Sequence, residues 1–273
     1  SLKQYLPLIL ETPYQELEVR AAGLNHFSVV LSAKYRQSGK DAYPDILARA
    51  PIFFENMPKM DAVYKYVKET GAMPEELQDL AALEKESWSE HQLFKVILEE
   101  FKLFPITSDS HFGEYIQWAH DAVDHKGILD FYRFYKDFLS RVEPHIELKL
   151  KERVVPIMEA IITDSGNIEE AVNIPNQGLI ADLPDWIVVE VPARVDKNGL
   201  HGLSMGHLPK GFAGLLMNQV AVHDLTAEAI LKKSKSAALQ ALLVDPNVTK
   251  YHGIEALLDT MIDYQSNWLG YLR

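Results

Sequence analysis

The sequence predicts an α+β fold, and three observations carry that prediction. Short β-branched stretches are few and are not joined by regular strand–helix–strand crossovers. Apolar residues recur at helical spacing through most of the C-terminal half. No Gly-x-Gly-x-x-Gly follows any strand, so these residues give no ground for a dinucleotide-binding fold.

Leu17 to Ala22 alternates and Phe27 to Tyr35 partly alternates, which predicts two strands flanking the turn Gly23-Leu24-Asn25-His26. A short helix over 41–49 follows. The stretch 50–74 reads as irregular, with three prolines and one weak helical turn around 61–69. Ser87 with Glu90 three residues on has the form of a capping box for a helix over 88–103, which Pro105 stops. The loop Ile106 to His111 leads to a second helical pattern near Phe112. Between Ile128 and Leu150 the spacing of Leu129, Tyr132, Phe138 and Val142 predicts a long amphipathic helix, and another over 154–163 ends at Gly166. Residues 169–174 and 186–192 read as strands. The second, Trp186-Ile187-Val188-Val189-Glu190-Val191, is nearly continuous, as expected of a strand buried on both faces. Asp196-Lys197-Asn198-Gly199 is a turn. From Lys210 onward the chain is mostly helical, with an Ala-rich segment over 227–243 and a last helix near 253–269. No repeat, low-complexity tract or linker divides it, so 1–273 is expected to form one domain.

With 273 residues and 47% hydrophobic content the chain can bury a sizeable core. A net charge of −12 argues against a nucleic-acid surface and against anionic lipid, and leaves a small neutral or partly charged substrate open. The absence of cysteine excludes disulfides, thiolate nucleophiles and cysteine-ligated zinc within these residues. No segment reaches the ~18 consecutive apolar residues of a membrane span, and no basic start precedes an apolar run as in a signal peptide. Cytoplasmic residence is the default expectation. A start at Ser1 suggests processing or excision.

Three groups of residues can carry chemistry. His26 stands in a tight turn from which an imidazole can bind a divalent metal while its other nitrogen is fixed by an acceptor; a satisfied structural histidine would look the same. Asp109 and His111, with Glu114 and Tyr115 close behind, combine acid, imidazole and phenol for proton transfer if burial moves a pKa toward neutrality. The competing explanation is helix capping by Asp109 or Ser110. Asn173 and Asn176 near Gly178 place two amides where they can bind sugar hydroxyls or a phosphate, or simply close a turn. The remaining histidines show no ligand spacing, and Gly-x-Ser-x-Gly is missing.

Several stretches, in order, resemble the C-terminal part of the family-4 glycoside hydrolases. They are Ala22-Gly23-Leu24-Asn25-His26-Phe27, the run from Phe104 to Tyr115, Asn173 to Pro192 with Val188-Val189-Glu190-Val191-Pro192, and Asp196 to His201 followed by Gly206-His207-Leu208-Pro209. The resemblance implies a lactate/malate-dehydrogenase-like C-terminal domain with a small, mostly antiparallel sheet and several long helices. It implies hydrolysis of a sugar glycoside with NAD and a divalent metal, usually Mn²⁺, outside the two-carboxylate scheme. In that chemistry NAD takes a hydride from C3, the metal polarises the oxygens at C2 and C3, a base removes the C2 proton, the C1 substituent leaves, water adds and the hydride returns. Carried over, His26 is the metal ligand, Asn25 binds a sugar hydroxyl, and Asp109, His111 or Tyr115 falls in the loop that supplies acid or base. Ser110 stands where the galacturonidase pattern has arginine, which speaks against a uronic acid.

The family's Gly-rich phosphate loop and Cys-His metal pair are expected upstream of this turn, and neither is in the 273 residues. A metal on His26 alone would be held weakly, so the isolated chain is expected to be inactive and to hold neither group tightly. The family's habit implies a homodimer or tetramer. Two other classes compete: a stand-alone, non-catalytic binding or assembly module, and a relative of the lactate and malate dehydrogenases, which would need an arginine-histidine-aspartate site.

Overall fold

Leu17–Leu24 (β1) and Phe27–Tyr35 (β2) form the hairpin that the alternation predicts, in a computed structural model that describes residues 2–70, 82–123, 133, 136 and 153–272. Their register runs from Leu17↔Tyr35 to Leu24↔Phe27, so only Asn25 and His26 lie between the strands. A shift between Arg20 and Ala21 marks a bulge, which bends and twists the strand.

The sheet grows from both edges of this hairpin. Phe104–Pro105 (β3) pairs with β2. Asn167–Pro175 (β4) pairs along Val188–Asp196 (β5), which meets β1 at Gly23↔Glu190. Gly199–Gly202 (β6) folds back onto β5 across the predicted turn, where the Asn198 amide donates to Asp196 Oδ1 at 2.8 Å. The order is β3-β2-β1-β5-β4 with β6 beside β5, and every one of these pairings is antiparallel. In β5, Val189, Val191, Ala193 and Val195 are fully buried. Val188, however, is 49% exposed and Trp186, just before the strand, 54% exposed. The segment predicted to be covered on both faces is therefore open on one of them where it begins.

Helices cover the sheet. Leu2–Leu10 (α1), which the sequence pattern did not predict, buries Leu6, Ile9 and Leu10. Tyr43–Phe54 (α2) runs past the expected end at Arg49 and through Pro51, because Ile46, Ala50 and Phe54 bury one continuous stripe at i, i+4 spacing. Met60–Thr70 (α3) extends the weak turn around 61–69 and buries Val63 and Val67. Gln92–Glu100 (α4) is shorter than the helix predicted over 88–103, and the capping box does not form. Ser87 Oγ instead donates to Glu55, and Trp88 and Glu90 adopt left-handed φ of 53° and 54°. Asp109–Gly113 (α5) is a single turn. Val154–Thr163 (α6) matches its prediction and ends in left-handed Asp164 and Gly166. Lys210–Leu231 (α7), Lys235–Val244 (α8), Ile254–Tyr264 (α9) and Ser266–Leu269 (α10) make up the helical C-terminal part. The helix expected over 128–150 lies outside the described residues.

Alternate positions of the hairpin feed two cores on opposite faces. Ala22, Leu24, Phe27 and Val29 pack with Val189, Val191, Phe112 and Phe212. Val30 and Ala33 pack with Leu6, Ile46, Phe54 and Phe104. Helix α4 spans both, giving Leu93 and Ile97 to the first core and Phe94 and Leu98 to the second. No helix among the described residues is long and apolar enough to cross a membrane.

Candidate active site

The tip of the β1–β2 hairpin is built by two backbone constraints. A Cβ on Gly23 would stand 2.2 Å from the Phe27 carbonyl oxygen and 2.7 Å from Ser28 Cα, so only glycine lets β1 approach β2 this closely. The reversal is then completed in two residues, with His26 in the left-handed region at φ 63°. Such a conformation costs a non-glycine residue on the order of 1 kcal/mol, and it persists only where the surroundings hold it. Thr107 does part of the holding, its hydroxyl donating to the His26 carbonyl at 3.2 Å.

Three segments meet here. The His26 ring sits edge-on to that of His111, their centroids 5.2 Å apart. The Asn173 amide, from β4, donates to Asn25 Oδ1 at 3.4 Å. Asn25, His26, His111 and Asn173 are all exposed. Four of the sequence-predicted residues are thus brought together from positions up to 148 apart.

Below them lies a residue the sequence reading missed. Glu190 is in register with Gly23 on one side and Asn173 on the other. Burial pushes its carboxyl above the usual carboxylate range, opposed by the Ser28 hydroxyl and by His26. Ser28 is itself fully buried, with Oγ donating to the Leu24 carbonyl at 2.8 Å. Glu190 opens on a groove of about 290 Å³ that also touches Tyr14, Ala21, Ile106 and Glu170. One charge in the apolar run Trp186 to Val191 was the available signal, since a carboxylate is seldom buried without a task.

The other three predicted residues are engaged in packing and backbone hydrogen bonds. Asp109 is 4% exposed, and its two carboxylate oxygens accept the backbone N–H groups of Leu93 at 2.8 Å and Phe94 at 3.0 Å. It caps α4 from 15 residues downstream, and a carboxylate held this way is a poor proton carrier. Tyr115 is half-buried and stacks on Phe27 at 4.9 Å; burial, then Glu114, raises its pKa, the opposite of what a base at neutral pH needs. Asn176 is fully buried. Its amide donates to the carbonyls of Ile180, Leu183 and Pro184 and accepts from the Ile180 N–H, so it pins the 176–187 loop and offers nothing to a ligand.

Chemically, the tip presents two imidazoles and two amides to solvent above a half-buried acid. His26 fits as one nitrogen ligand for a divalent metal, with the amides suited to hydroxyl groups. Among the described residues no three His, Asp or Glu side chains stand close enough to enclose a metal. This tip therefore suits one wall of a site rather than a closed cage.

The model of the family 4 glycosyl hydrolase C-terminal domain matches residues 21–248. An α-glucosidase of Erwinia rhapontici is 51% identical over 279 residues, covering 100% of this chain and 61% of that protein. An α-galacturonidase of Bacillus subtilis (strain 168) is 25% identical over 257 residues, covering 88% and 52%. Two solved structures share the fold. A 6-phospho-α-glucosidase from gut microorganisms in complex with NAD and Mn²⁺ gives a TM-score of 0.64 at 21% identity, over 98% of this chain and 59% of that one. A 6-phospho-β-glucosidase from Thermotoga maritima with manganese, NAD⁺ and glucose-6-phosphate gives 0.62 at 19%, over 98% and 58%. The chain spans between 52% and 61% of the length of these relatives.

Proposed function

Because this chain belongs to the family 4 glycosyl hydrolases, as their C-terminal domain, we propose that it forms the metal- and sugar-facing wall of an enzyme that hydrolyses an α-glucoside. The observation that carries this reading is the strained, exposed His26 beside His111, Asn25 and Asn173 at the hairpin tip. Identity of 51% to an α-glucosidase favours glucose over galactose, and Ser110 in place of arginine agrees with a substrate lacking a carboxylate.

NAD and a divalent metal, the pair held by two solved relatives, would supply reversible hydride transfer and Lewis-acid polarisation. His26 offers one imidazole nitrogen to the metal. Asn25, oriented by Asn173, turns its amide toward sugar hydroxyls. His111, edge-on to His26, is free of the packing that holds Asp109 and is the better candidate for moving a proton. Glu190 lies close to His26, and burial pushes its carboxyl above the usual carboxylate range.

We place the enzyme in the cytoplasm and expect it to act as a dimer or tetramer. Exposed Val154, Met158 and Ile162 on α6 give an apolar face suited to subunit contact, so sedimentation should show a species heavier than the monomer.

The test is turnover of p-nitrophenyl α-glucoside, and of its 6-phosphate, by the protein encoded by the complete reading frame that contains these residues. The expected result is hydrolysis that requires both NAD⁺ and Mn²⁺, and none from the 273-residue chain alone. Hydrolysis independent of NAD⁺, or no hydrolysis of either glucoside, overturns the proposal.

A further inference from the structure

Beside the middle of the same hairpin, where Arg20 faces Ser32, lies a second cavity of about 580 Å³, within the size range of small-molecule sites. Its walls include the cationic side chains Arg20 and Lys102, together with His207. Tyr43, Leu31 and Phe101 give it an apolar floor. No acidic side chain lines it, although the chain carries 39 Asp and Glu against 27 Lys and Arg. Three other grooves among the described residues each expose at least two carboxylates: Glu255 and Asp259, then Glu86, Glu90, Glu99 and Asp121, and last Glu170 and Glu190. The lining is thus cationic in an acidic protein, with Glu18 and Asp182 behind it as the partners of Arg20 and His207.

The Lys102 backbone and the His207 ring are held in place. Lys102 has a left-handed φ of 56°. Its carbonyl lies 3.1 Å from the Tyr43 hydroxyl, which also takes the Phe104 N–H at 3.3 Å. His207 Nδ1 stands 3.0 Å from Asp182 Oδ1, while the second Asp182 oxygen accepts the Leu208 N–H at 2.6 Å. Nδ1 therefore carries the proton shared with Asp182, and Nε2 is left to a ligand. Arg20, on β1 opposite Ser32, pairs with Glu18 at 3.2 Å. Arg20 stands four positions before Leu24 on β1, which puts it roughly 13 Å along the strand from the start of the hairpin tip.

We infer that this cavity is a binding site for an organic phosphate, its guanidinium and ammonium groups taking the phosphate oxygens and its apolar floor taking the organic part, separate from the His26 site. Arginine's planar fork suits phosphate oxygens, and the apolar floor distinguishes an ester from the free ion. The proposal does not depend on the glycosidase reading.

Isothermal titration of the chain with phenyl phosphate tests it, with inorganic phosphate and phenol as comparisons. Saturable binding of phenyl phosphate is expected, tighter than that of inorganic phosphate, with none for phenol. Arg20→Gln and Lys102→Gln, both at exposed positions, should each weaken it about tenfold or more. His26→Ala should leave it unchanged, and melting temperatures should report intact folding of each variant. Absence of saturable binding, binding unmoved by both glutamine substitutions, or binding lost in His26→Ala overturns the inference.

Discussion

Replacing Asp109 separates a structural acid from a catalytic one. Its carboxylate is 4% exposed and holds two N–H groups in the first turn of α4, where His91 provides no side-chain cap. Asp109→Ala removes two hydrogen bonds to a charged acceptor, each worth about 1.5–3 kcal/mol, and leaves both donors buried. Helix α4 cannot shift toward water to satisfy them, because Leu93 and Ile97 anchor it in one core and Phe94 and Leu98 in the other. The expected loss is about 3–5 kcal/mol, above the ~0.5–2 kcal/mol of an ordinary exposed cap because two buried donors are stranded. At about 2–4 °C per kcal/mol the melting temperature should fall by roughly 6–20 °C. Asp109→Asn keeps the shape and one acceptor oxygen, so about 2 kcal/mol should go. Urea unfolding followed by circular dichroism measures both. If Asp109→Asn unfolds within about 0.5 kcal/mol of the unaltered protein yet abolishes turnover in the complete enzyme, the capping argument is wrong and Asp109 is the proton carrier.

Three further outcomes follow from the same geometry. Asn176→Ala strands the Ile180 N–H and the carbonyls it served, so about 2–4 kcal/mol of stability should be lost in urea titrations, with sugar binding affected only through folding. Gly23→Ala drives a methyl group into the Phe27 carbonyl and should cost about 3 kcal/mol; it should also shift the His26 ring signals in NMR spectra. Burial holds the His91 imidazole below its ordinary 6.5, while the unfolded chain takes up that proton near 6.5. The unfolded state then binds more protons, so stability should fall as pH drops below about 6.5, by up to about 1.4 kcal/mol per pH unit until the folded imidazole itself titrates. Unfolding midpoints measured from pH 8 to 5 should show that slope in the unaltered protein and a shallower one in His91→Phe.

The hairpin was legible because each of its determinants is local: the alternation in Leu17 to Ala22, the partial alternation in Phe27 to Tyr35, and a glycine that tolerates no Cβ. The start of α4 was not legible. Ser87 and Glu90 have capping-box spacing, yet the cap comes from Asp109, whose arrival depends on the chain reversing through β3. Pro51 marked a helix end by its missing N–H, but buried Ala50 and Phe54 carried α2 on. The site divides along the same line. His26 and Asn25 could be read from their turn, while their grouping with His111 and Asn173 required three distant segments to fold together. Asn176 looked like a ligand-binding amide because sequence does not reveal which amides are already spent on backbone. Glu190 was passed over although it is the one charge in the run Trp186 to Val191, and its position between Gly23 and Asn173 appears only with the register.

The assignment of His26 as the metal ligand is the centre of the functional account, and electron paramagnetic resonance of free Mn²⁺ tests it most directly. The complete protein would be titrated as the unaltered form, His26→Ala and Asn176→Ala. His26→Ala should weaken Mn²⁺ binding by about tenfold or more at an unchanged melting temperature, whereas Asn176→Ala should lower stability and leave the affinity of the folded fraction intact. Equal Mn²⁺ affinity in the unaltered protein and His26→Ala would contradict it.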